Sequence, residues 1–452
     1  MSPFLPPRSV PPRLLPAGAL GAVPARFAAT LAAILLTFAG MAYALLRTAG
    51  PRDDRLPRAS LSVADVLGGS ADSGFARALE PRPFEFPRDH GPHPDFRTEW
   101  WYLTGNLHDS RGRRFGFHFT VFRSALRPPG ASGEPRSAWS TDQVYMGHLA
   151  LADSAGGRFH AFERFSRGAL GLAGASAEPF RVWLDDWELR GLVEEGAPHP
   201  DGGGEMKDLP EALRGAQGIE IFPLGLRAME EGVGLDLSLL PAKPMVLQGE
   251  AGLSQKGPEP GNASHYYAFT RLTASGRLFL GNDTVQVQGA AWMDREWSTS
   301  ALSPGQVGWD WFALQMEDGY DLMYYQLRRE DGSADPLSKG SLVDPLGGMI
   351  PLHSGDVRLD VLETWRSPLD GAVYPVRWRL RVPSRDMTLE VAPLMRDQEL
   401  DLTFRYWEGA VRVSGTREGR PMTGRGYVEL TGYAGEVVRR EEGRGIGRTG
   451  AG

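Results

Sequence analysis

Two segments of the chain concentrate side chains that are suited to catalysis or metal binding. The first is RDHGPHPDFRTEWWY at residues 88–102, where His90, His93 and Glu99 stand next to aromatic residues. Two histidines and a carboxylate could supply three ligands to a metal ion. The intervening glycine and prolines place both histidines on a loop and nothing fixes a fourth ligand, so we predict a hydrogen-bonded polar cluster and no metal.

The second segment runs from His265 to Trp311 and includes WMDREW at residues 292–297. Alternation along a strand would put Asp294 on the same face as Trp292. A carboxyl group buried among aromatic rings has a raised pKa, and its protonated form can donate a proton to a weak base such as an alkene. The rings would stabilise the resulting cation, and this chemistry requires no cofactor. The alternative is a charge cluster on a solvated face, with the tryptophans as ordinary core.

Short strands must position these groups, because helical periodicity is scarce beyond residue 82. Runs such as RFGFHFTVFR at 114–123 alternate apolar and polar residues and end at turn-forming residues. That pattern is typical of antiparallel strands with one face in a core. The 57 glycines and 35 prolines among 452 residues supply the turns that many short strands need. We therefore predict an all-β fold.

The composition excludes several classes of site and partner. With no cysteine, the chain cannot form disulfides, thiolate nucleophiles, iron–sulfur clusters or cysteine-based zinc sites. A formal charge of -7 gives no general attraction to phosphate backbones. We therefore do not expect nucleic acid to be a partner.

An apolar segment near the N-terminus indicates export. Residues 28–46 carry no charge, and the basic region at 1–27 contains arginines but no acidic residue. Such a segment is either a cleaved signal peptide or a transmembrane anchor helix. In both cases we expect the folded part, after a linker at 47–82, on the periplasmic side of a bacterial inner membrane, anchored or secreted. The Arg/Glu/Gly-rich residues 437–452 are predicted to form a disordered tail.

Several motifs together resemble one known family. They are HGPHPDFRTEWWYLTGNL at 90–107, SQKGPEPGNASHYYAFTRL at 254–272, WMDREWSTSAL at 292–302, GWDWFALQ at 308–315 and GRGYVELTGY at 424–433. The combination is similar to the carotenoid 1,2-hydratase (hydroxyneurosporene synthase) and AttH-like family, and it covers nearly everything between the linker and the tail. The resemblance implies two consecutive lipocalin-like antiparallel β-barrels, which we expect at 83–245 and 246–436, with a lipophilic ligand in or between them.

The resemblance also implies an activity and its residues. The hydratases of that family add water to the terminal double bond of an acyclic carotenoid, using an aspartate in a Tyr-x-Asp motif as proton donor beside a His-x-Trp motif. The matching residues are Asp294 as donor and His265 as a second catalytic group. Because Trp292 replaces the tyrosine and Tyr267 the tryptophan, the substrate could be another polyene or isoprenoid, and the reaction a hydration or an isomerisation. The aromatic residues expected to hold the ligand are Trp100, Trp101, Tyr102, Tyr267, Trp292, Trp297, Trp309 and Trp311.

A second function fits the same resemblance: a non-catalytic periplasmic lipid-binding protein that serves a membrane transport system, such as an ABC-type transporter. Asp294 and Glu296 would then be structural partners of arginines such as Arg271 and Arg295. A closed apolar cavity around Asp294, without an arginine partner, would instead favour acid chemistry.

Overall fold

The computed structural model describes residues 74–131, 137, 139–192, 209–300 and 302–434. The predicted signal or anchor at 28–46, most of the linker and the predicted tail lie outside these residues. Within the described ranges, no helix is both long and apolar enough to cross a membrane. The helices of the described chain are short 3-10 turns, at Arg88–His90, Glu211–Leu213 and Pro383–Arg385.

The prediction of an all-β fold is confirmed, and the strands form two large antiparallel sheets, each a barrel or half-barrel. The first sheet has thirteen strands. They are β1 (Thr98–His108), β2 (Arg114–Ala125), β3 (Gln143–Asp153), β4 (Arg158–Arg167), β5 (Ala173–Ala177), β6 (Phe180–Leu184), β7 (Trp187–Gly191), β8 (Leu224–Glu230), β9 (Val233–Pro241), β10 (Val246–Leu247), β11 (Leu253–Gln255), β12 (Ala263–Leu280) and β13 (Asp283–Ser298). Their order is β4-β3-β2-β1-β13-β12-β9-β8-β7-β6-β5, and β10 and β11 also pair with β12.

The second sheet has ten strands in the order β17-β16-β15-β14-β23-β22-β20-β19-β18, with β21 paired to β22. They are β14 (Gln306–Met316), β15 (Asp321–Arg329), β16 (Lys339–Val343), β17 (Met349–His353), β18 (Arg358–Arg366), β19 (Val373–Val382), β20 (Met387–Pro393), β21 (Glu399–Leu400), β22 (Tyr406–Arg417) and β23 (Arg420–Leu430).

The change from one sheet to the other falls between β13 and β14, whereas the sequence placed a domain boundary at residues 245 and 246, between β9 and β10. The Gly/Pro-rich stretch at 241–262 does not act as a linker. It folds back so that β10 and β11 pair with β12, and β12 itself spans 18 residues and pairs with both β9 and β13. Both flanks of the predicted boundary therefore belong to one sheet.

Three apolar layers follow from the alternation of side chains along the strands. In β2, Phe117 and Phe119 point into the core enclosed by the first sheet. His118 and Thr120 point the other way, yet they are also buried, because the second sheet covers this face. The second sheet encloses its own core, and a third cluster, rich in tyrosine and tryptophan, lies between the two sheets. Strands at this junction are thus buried on both faces.

Candidate functional site

A cavity of about 320 Å³ lies between the two sheets, inside the third cluster. Strands β1, β2, β3, β4, β12 and β13 line it from the first sheet, and β14, β15, β22 and β23 line it from the second. Most of its wall is apolar or aromatic, which is the usual character of a site for a lipophilic ligand. The polar side chains on the wall are grouped, and one group contains Asp294, Glu296 and Lys256.

Asp294 of β13 is one of these polar groups, and its side chain is held by two hydrogen bonds. The Tyr266 hydroxyl donates to Oδ2 over 2.7 Å, and the Trp292 indole N–H donates to Oδ1 over 2.7 Å. Asp294 is 4% exposed, and burial raises the pKa of this carboxyl to about 8, although the two hydrogen bonds act to lower it. Asp294 is therefore mostly protonated at neutral pH.

The arginines that could have neutralised Asp294 are paired elsewhere. Arg295 binds Glu99, and Arg271 binds Asp321. Among the described residues, no arginine or lysine forms an ion pair with Asp294, whereas its neighbour Glu296 is paired with Lys256. The cause is strand alternation, which turns Arg295 to the opposite face of the sheet.

His265, the second predicted catalytic residue, does not reach this cavity. In the antiparallel pairing of β12 with β13, His265 stands opposite Trp297, while Asp294 stands opposite Ala268. The His265 ring packs against Phe84, Phe96 and Trp297 on the side of the first core. Tyr266, one residue further along, takes the place beside Asp294 that the sequence assigned to His265.

The predicted ligand-binding aromatic residues divide between the cavity, which both sheets line, and the core of the first sheet. Those on the cavity wall are Trp100, Tyr102, Trp309 and Trp311. Trp292 belongs to the same cluster and orients Asp294. Those that point into the first core are Trp101, Tyr267 and Trp297.

Two of the three residues of the predicted polar cluster, His93 and Glu99, lie in a buried network of charged groups. Glu99 accepts hydrogen bonds from Arg123 and Arg295 and lies 3.3 Å from Nδ1 of His93. Burial opposes ionisation of Glu99, but the two guanidinium groups outweigh it and hold the pKa of Glu99 well below its usual range. His90 stands apart, with Nδ1 2.6 Å from the Tyr267 hydroxyl. In the part of the chain that the structure describes, no group of three His, Asp or Glu side chains could hold a metal ion.

A second polar group on the cavity wall was not identified from the sequence. Its centre is the Tyr406 hydroxyl, which lies 2.7 Å from Nδ1 of His148 and 3.3 Å from Nε2 of His118. Nε2 of His148 in turn lies 3.1 Å from Oε1 of Glu163. Tyr406 comes from the second sheet and both histidines from the first, so this group forms only when the sheets meet.

Two further carboxyl groups are held at or beside the cavity. Glu408 is fully buried, accepts a 2.7 Å hydrogen bond from the Tyr102 hydroxyl, and has a pKa raised well above its usual range by burial. Glu429 lines the cavity and accepts a 3.0 Å hydrogen bond from the Trp309 indole. Burial raises the pKa of Glu429 to about 7. The site can therefore store protons in an apolar setting.

The sequence profile of the AttH-like family matches residues 77–433. A solved AttH-type protein of Nitrosomonas europaea is 35% identical, with 80% of this chain and 100% of that chain aligned and a TM-score of 0.64. Kievitone hydratase of Nectria haematococca shares the fold at 13% identity, with 80% of this chain and 98% of that chain aligned and a TM-score of 0.56. Among curated proteins, none matches the sequence. The family profile thus covers almost the whole range of residues that the structure describes. The chain is a member of the AttH-like family.

Proposed function

We propose that this protein is a hydratase-like enzyme that adds water to, or isomerises, a carbon–carbon double bond of a lipophilic polyene or isoprenoid. The proposal is carried by the setting of the Asp294 carboxyl group. This group lines a mostly apolar cavity and forms no ion pair with a cation among the described residues, and its raised pKa of about 8 keeps it mostly protonated at neutral pH. A protonated carboxylic acid in such a setting is a general acid. The fold shared with a protein named as a hydratase supports the same reaction class.

The hydrogen bonds of Asp294 suit the two halves of a proton transfer. The Trp292 indole can only donate, so Oδ1 accepts its N–H, and we place the acidic proton on Oδ2. As a carboxylic hydroxyl, Oδ2 can accept from Tyr266 and still donate its own proton. When that proton moves to an alkene carbon, both donors stabilise the new carboxylate with charge-assisted hydrogen bonds.

The aromatic wall suits the other product of the transfer. Protonation of a trisubstituted alkene leaves a tertiary carbocation, and ring faces attract cations. Trp311 lies with its ring centroid 6.2 Å from that of Trp292 and 5.1 Å from that of Tyr102, so several rings surround the space next to Asp294. Water then adds to the cation, and the product is a tertiary alcohol.

The cavity limits which substrates fit. Its volume of about 320 Å³ is at the small end of known ligand sites. We propose that it encloses a short isoprenoid completely, or only the reacting end of a longer polyene such as a carotenoid. The apolar segment at 28–46 would keep the protein at the membrane in which such molecules dissolve.

The test is an incubation of the full-length chain, in detergent, with lycopene, neurosporene or farnesol, followed by mass spectrometry. The wild-type chain should add one water to at least one probe, and Asp294→Asn should lower that rate at least about a hundredfold. Asp236→Asn is the matched control, because Asp236 pairs with Arg277 outside the cavity. It should retain the wild-type rate.

Binding of the probes without conversion would contradict the proposal. If the probes co-purify unchanged, at the same occupancy, with the wild-type chain and with Asp294→Asn, the enzyme proposal fails for these ligands. The lipid-binding function would then be the one that the result supports.

A further inference from the structure

A row of side chains crosses the first sheet from Asp294 to its far edge. In successive antiparallel pairs, Asp294 stands opposite Tyr102, Tyr102 opposite Thr120, Thr120 opposite His148, and His148 opposite Glu163. Opposite residues of antiparallel strands point to the same face. The spacing of strands therefore puts the Cα atoms of Asp294 and His148 roughly 14 Å apart on one face of the sheet.

At the far end of this row, the tautomer of His148 is fixed by its partners. The carboxylate of Glu163 can only accept, so Nε2 of His148, 3.1 Å away, carries the proton. Nδ1 is then an acceptor, and the Tyr406 hydroxyl, 2.7 Å away, donates to it. Glu163 is itself fixed by the Thr403 hydroxyl, which donates to its other oxygen over 2.6 Å.

The other groups around the Tyr406 hydroxyl do not compete for its proton. Nε2 of His118 lies 3.3 Å from this oxygen and also 3.2 Å from Thr120. His118 is fully enclosed, and burial holds its pKa well below the usual range, so the ring stays neutral. The proton of Tyr406 therefore has one favourable route, toward His148 and Glu163.

We propose that Tyr406, supported by His148 and Glu163, is the base that takes a proton from the water that attacks the cation. This inference rests on the proposed hydration, and it assigns the second proton transfer of that reaction. A carboxylate that orients a histidine, which in turn accepts a proton from a hydroxyl, is the arrangement that activates nucleophiles in unrelated hydrolases. Tyr406 and His148 both line the cavity, and Glu163 acts as a positioning residue.

The protons balance over one cycle. The alkene takes the proton of Asp294, which becomes a carboxylate, and the carbocation accepts an electron pair from the water oxygen. As the new carbon–oxygen bond forms, the water loses a proton to the Tyr406 oxygen, and Tyr406 passes its own proton to Nδ1 of His148. The carboxylate of Glu163 stabilises the imidazolium of His148. Because the Glu163 side chain is 13% accessible, the extra proton can pass from His148 through Glu163 to solvent. Asp294 recovers a proton from solvent, so only the water is consumed.

Hydration in D2O separates the two transfers. Asp294 should place deuterium on the alkene carbon, and loss of a proton from the cation should return an alkene that carries deuterium. With lycopene, neurosporene or farnesol as probe, the wild-type full-length chain should form both a deuterated alcohol and a deuterated alkene. Tyr406→Phe, which removes only the hydroxyl, should lower hydration at least about a hundredfold while deuterium still enters the recovered alkene.

Glu163→Gln is the second variant, because Glu163 is only partly buried and its replacement keeps the shape of the side chain. It should also lower the rate of hydration more than the rate at which deuterium enters the alkene. A purely structural defect would lower both rates alike. Thermal melting by circular dichroism shows whether each variant is folded. If Tyr406→Phe does not fold, Glu163→Gln alone decides the inference.

Three results would overturn the inference and leave the proposed function in place. One is a hydration rate equal to that of the wild-type chain in both Tyr406→Phe and Glu163→Gln. Another is equal loss of hydration and exchange by folded Tyr406→Phe, which would make Tyr406 part of the binding or donor machinery. The third is a selective loss of hydration in Glu429→Gln but not in Tyr406→Phe, which would assign the base to Glu429. If the wild-type chain yields neither product, the proposed function itself fails.

Discussion

Asp294 and His265 lie on adjacent strands of the first sheet but project from its opposite faces. Asp294 is paired with Ala268, and His265 is paired with Trp297, whose side chain is in the first core. The neighbour of Asp294 in the cavity is Tyr266, whose hydroxyl binds it. The polar partner that β12 supplies to the proposed acid is therefore a tyrosine.

This arrangement predicts opposite effects for two substitutions on β12. Tyr266→Phe removes a hydrogen bond that stabilises the Asp294 carboxylate, so the rate of probe hydration should fall roughly tenfold or more. His265→Gln should leave the rate of the folded protein within a factor of about three, since the sheet separates His265 from the cavity. Rates measured on equal amounts of folded protein check both. A larger loss in His265→Gln than in Tyr266→Phe would restore the residue assignment implied by the family resemblance.

The pH dependence of hydration should report the ionisation of Asp294. A general acid works in its protonated form, and burial raises the pKa of Asp294 to about 8. The rate should therefore be independent of Asp294 ionisation below that value and fall roughly tenfold per pH unit above it. A pH–rate profile with the probes tests this. A rate that falls through pH 4 to 5, as for an ordinary aspartate, would contradict the raised pKa.

Trp292→Phe should move the pH above which the hydration rate falls to a higher value. The substitution removes the indole N–H that donates to Oδ1 of Asp294, and this bond favours the carboxylate. Its loss raises the pKa of Asp294 by roughly one further unit. Trp309→Phe is the matched control, because its indole donates to Glu429 instead, and it should not raise that pH. Equal profiles for the wild-type chain and Trp292→Phe would show that this hydrogen bond does not tune the acid.

Asp294 should also make folding stability depend on pH. Its folded pKa of about 8 exceeds the ordinary value of 3.8, so between these values the folded state keeps a proton that the unfolded chain has lost. Stability from this group therefore falls as the pH rises through the window. Relative to wild type, Asp294→Asn should gain up to about 5 kcal/mol between pH 4 and pH 8. Urea unfolding at both pH values measures the difference in free energy of unfolding between Asp294→Asn and the wild-type chain. If this difference is the same at pH 4 and pH 8, the pKa of Asp294 is that of an ordinary aspartate.

The Glu99 network should matter for stability and not for chemistry. Glu99→Gln leaves the guanidinium groups of Arg123 and Arg295 buried without their anion, which costs about 3–5 kcal/mol. Glu188→Gln, which breaks a partly exposed pair with Arg181, should cost less than about 1 kcal/mol. Denaturant unfolding compares the two. Similar losses in both variants would mean that the buried network contributes little.

The sequence was sufficient for the class of fold and for one wall of the site. Alternation along 292–297 correctly grouped Trp292 with Asp294, because two-residue periodicity is a local property. It did not show which residues of β12 face Asp294, because that depends on register, and the pairing of β12 with β13 shifts between Phe269 and Leu272. A shift of one residue exchanges His265 for Tyr266.

The second polar group was beyond sequence reasoning for a different reason. His148 and Tyr406 are far apart in the chain, and their strands belong to different sheets. Alternation along 114–123 predicts that His118 occupies a strand, but the role of this histidine depends on what covers that face. The packing of one sheet on the other supplies this information, and no local pattern encodes it.

The ionisation state of Asp294 can be measured directly by infrared difference spectroscopy between the wild-type chain and Asp294→Asn. If Asp294 is the proton donor, then at pH 7 the wild-type chain shows a protonated carboxyl band that is missing from the variant and that disappears as the pH passes about 8. Glu408 and Glu429 contribute to both spectra and cancel in the difference. A carboxylate band for Asp294 at pH 7 would contradict its role as proton donor, because an ionised Asp294 has no proton to donate.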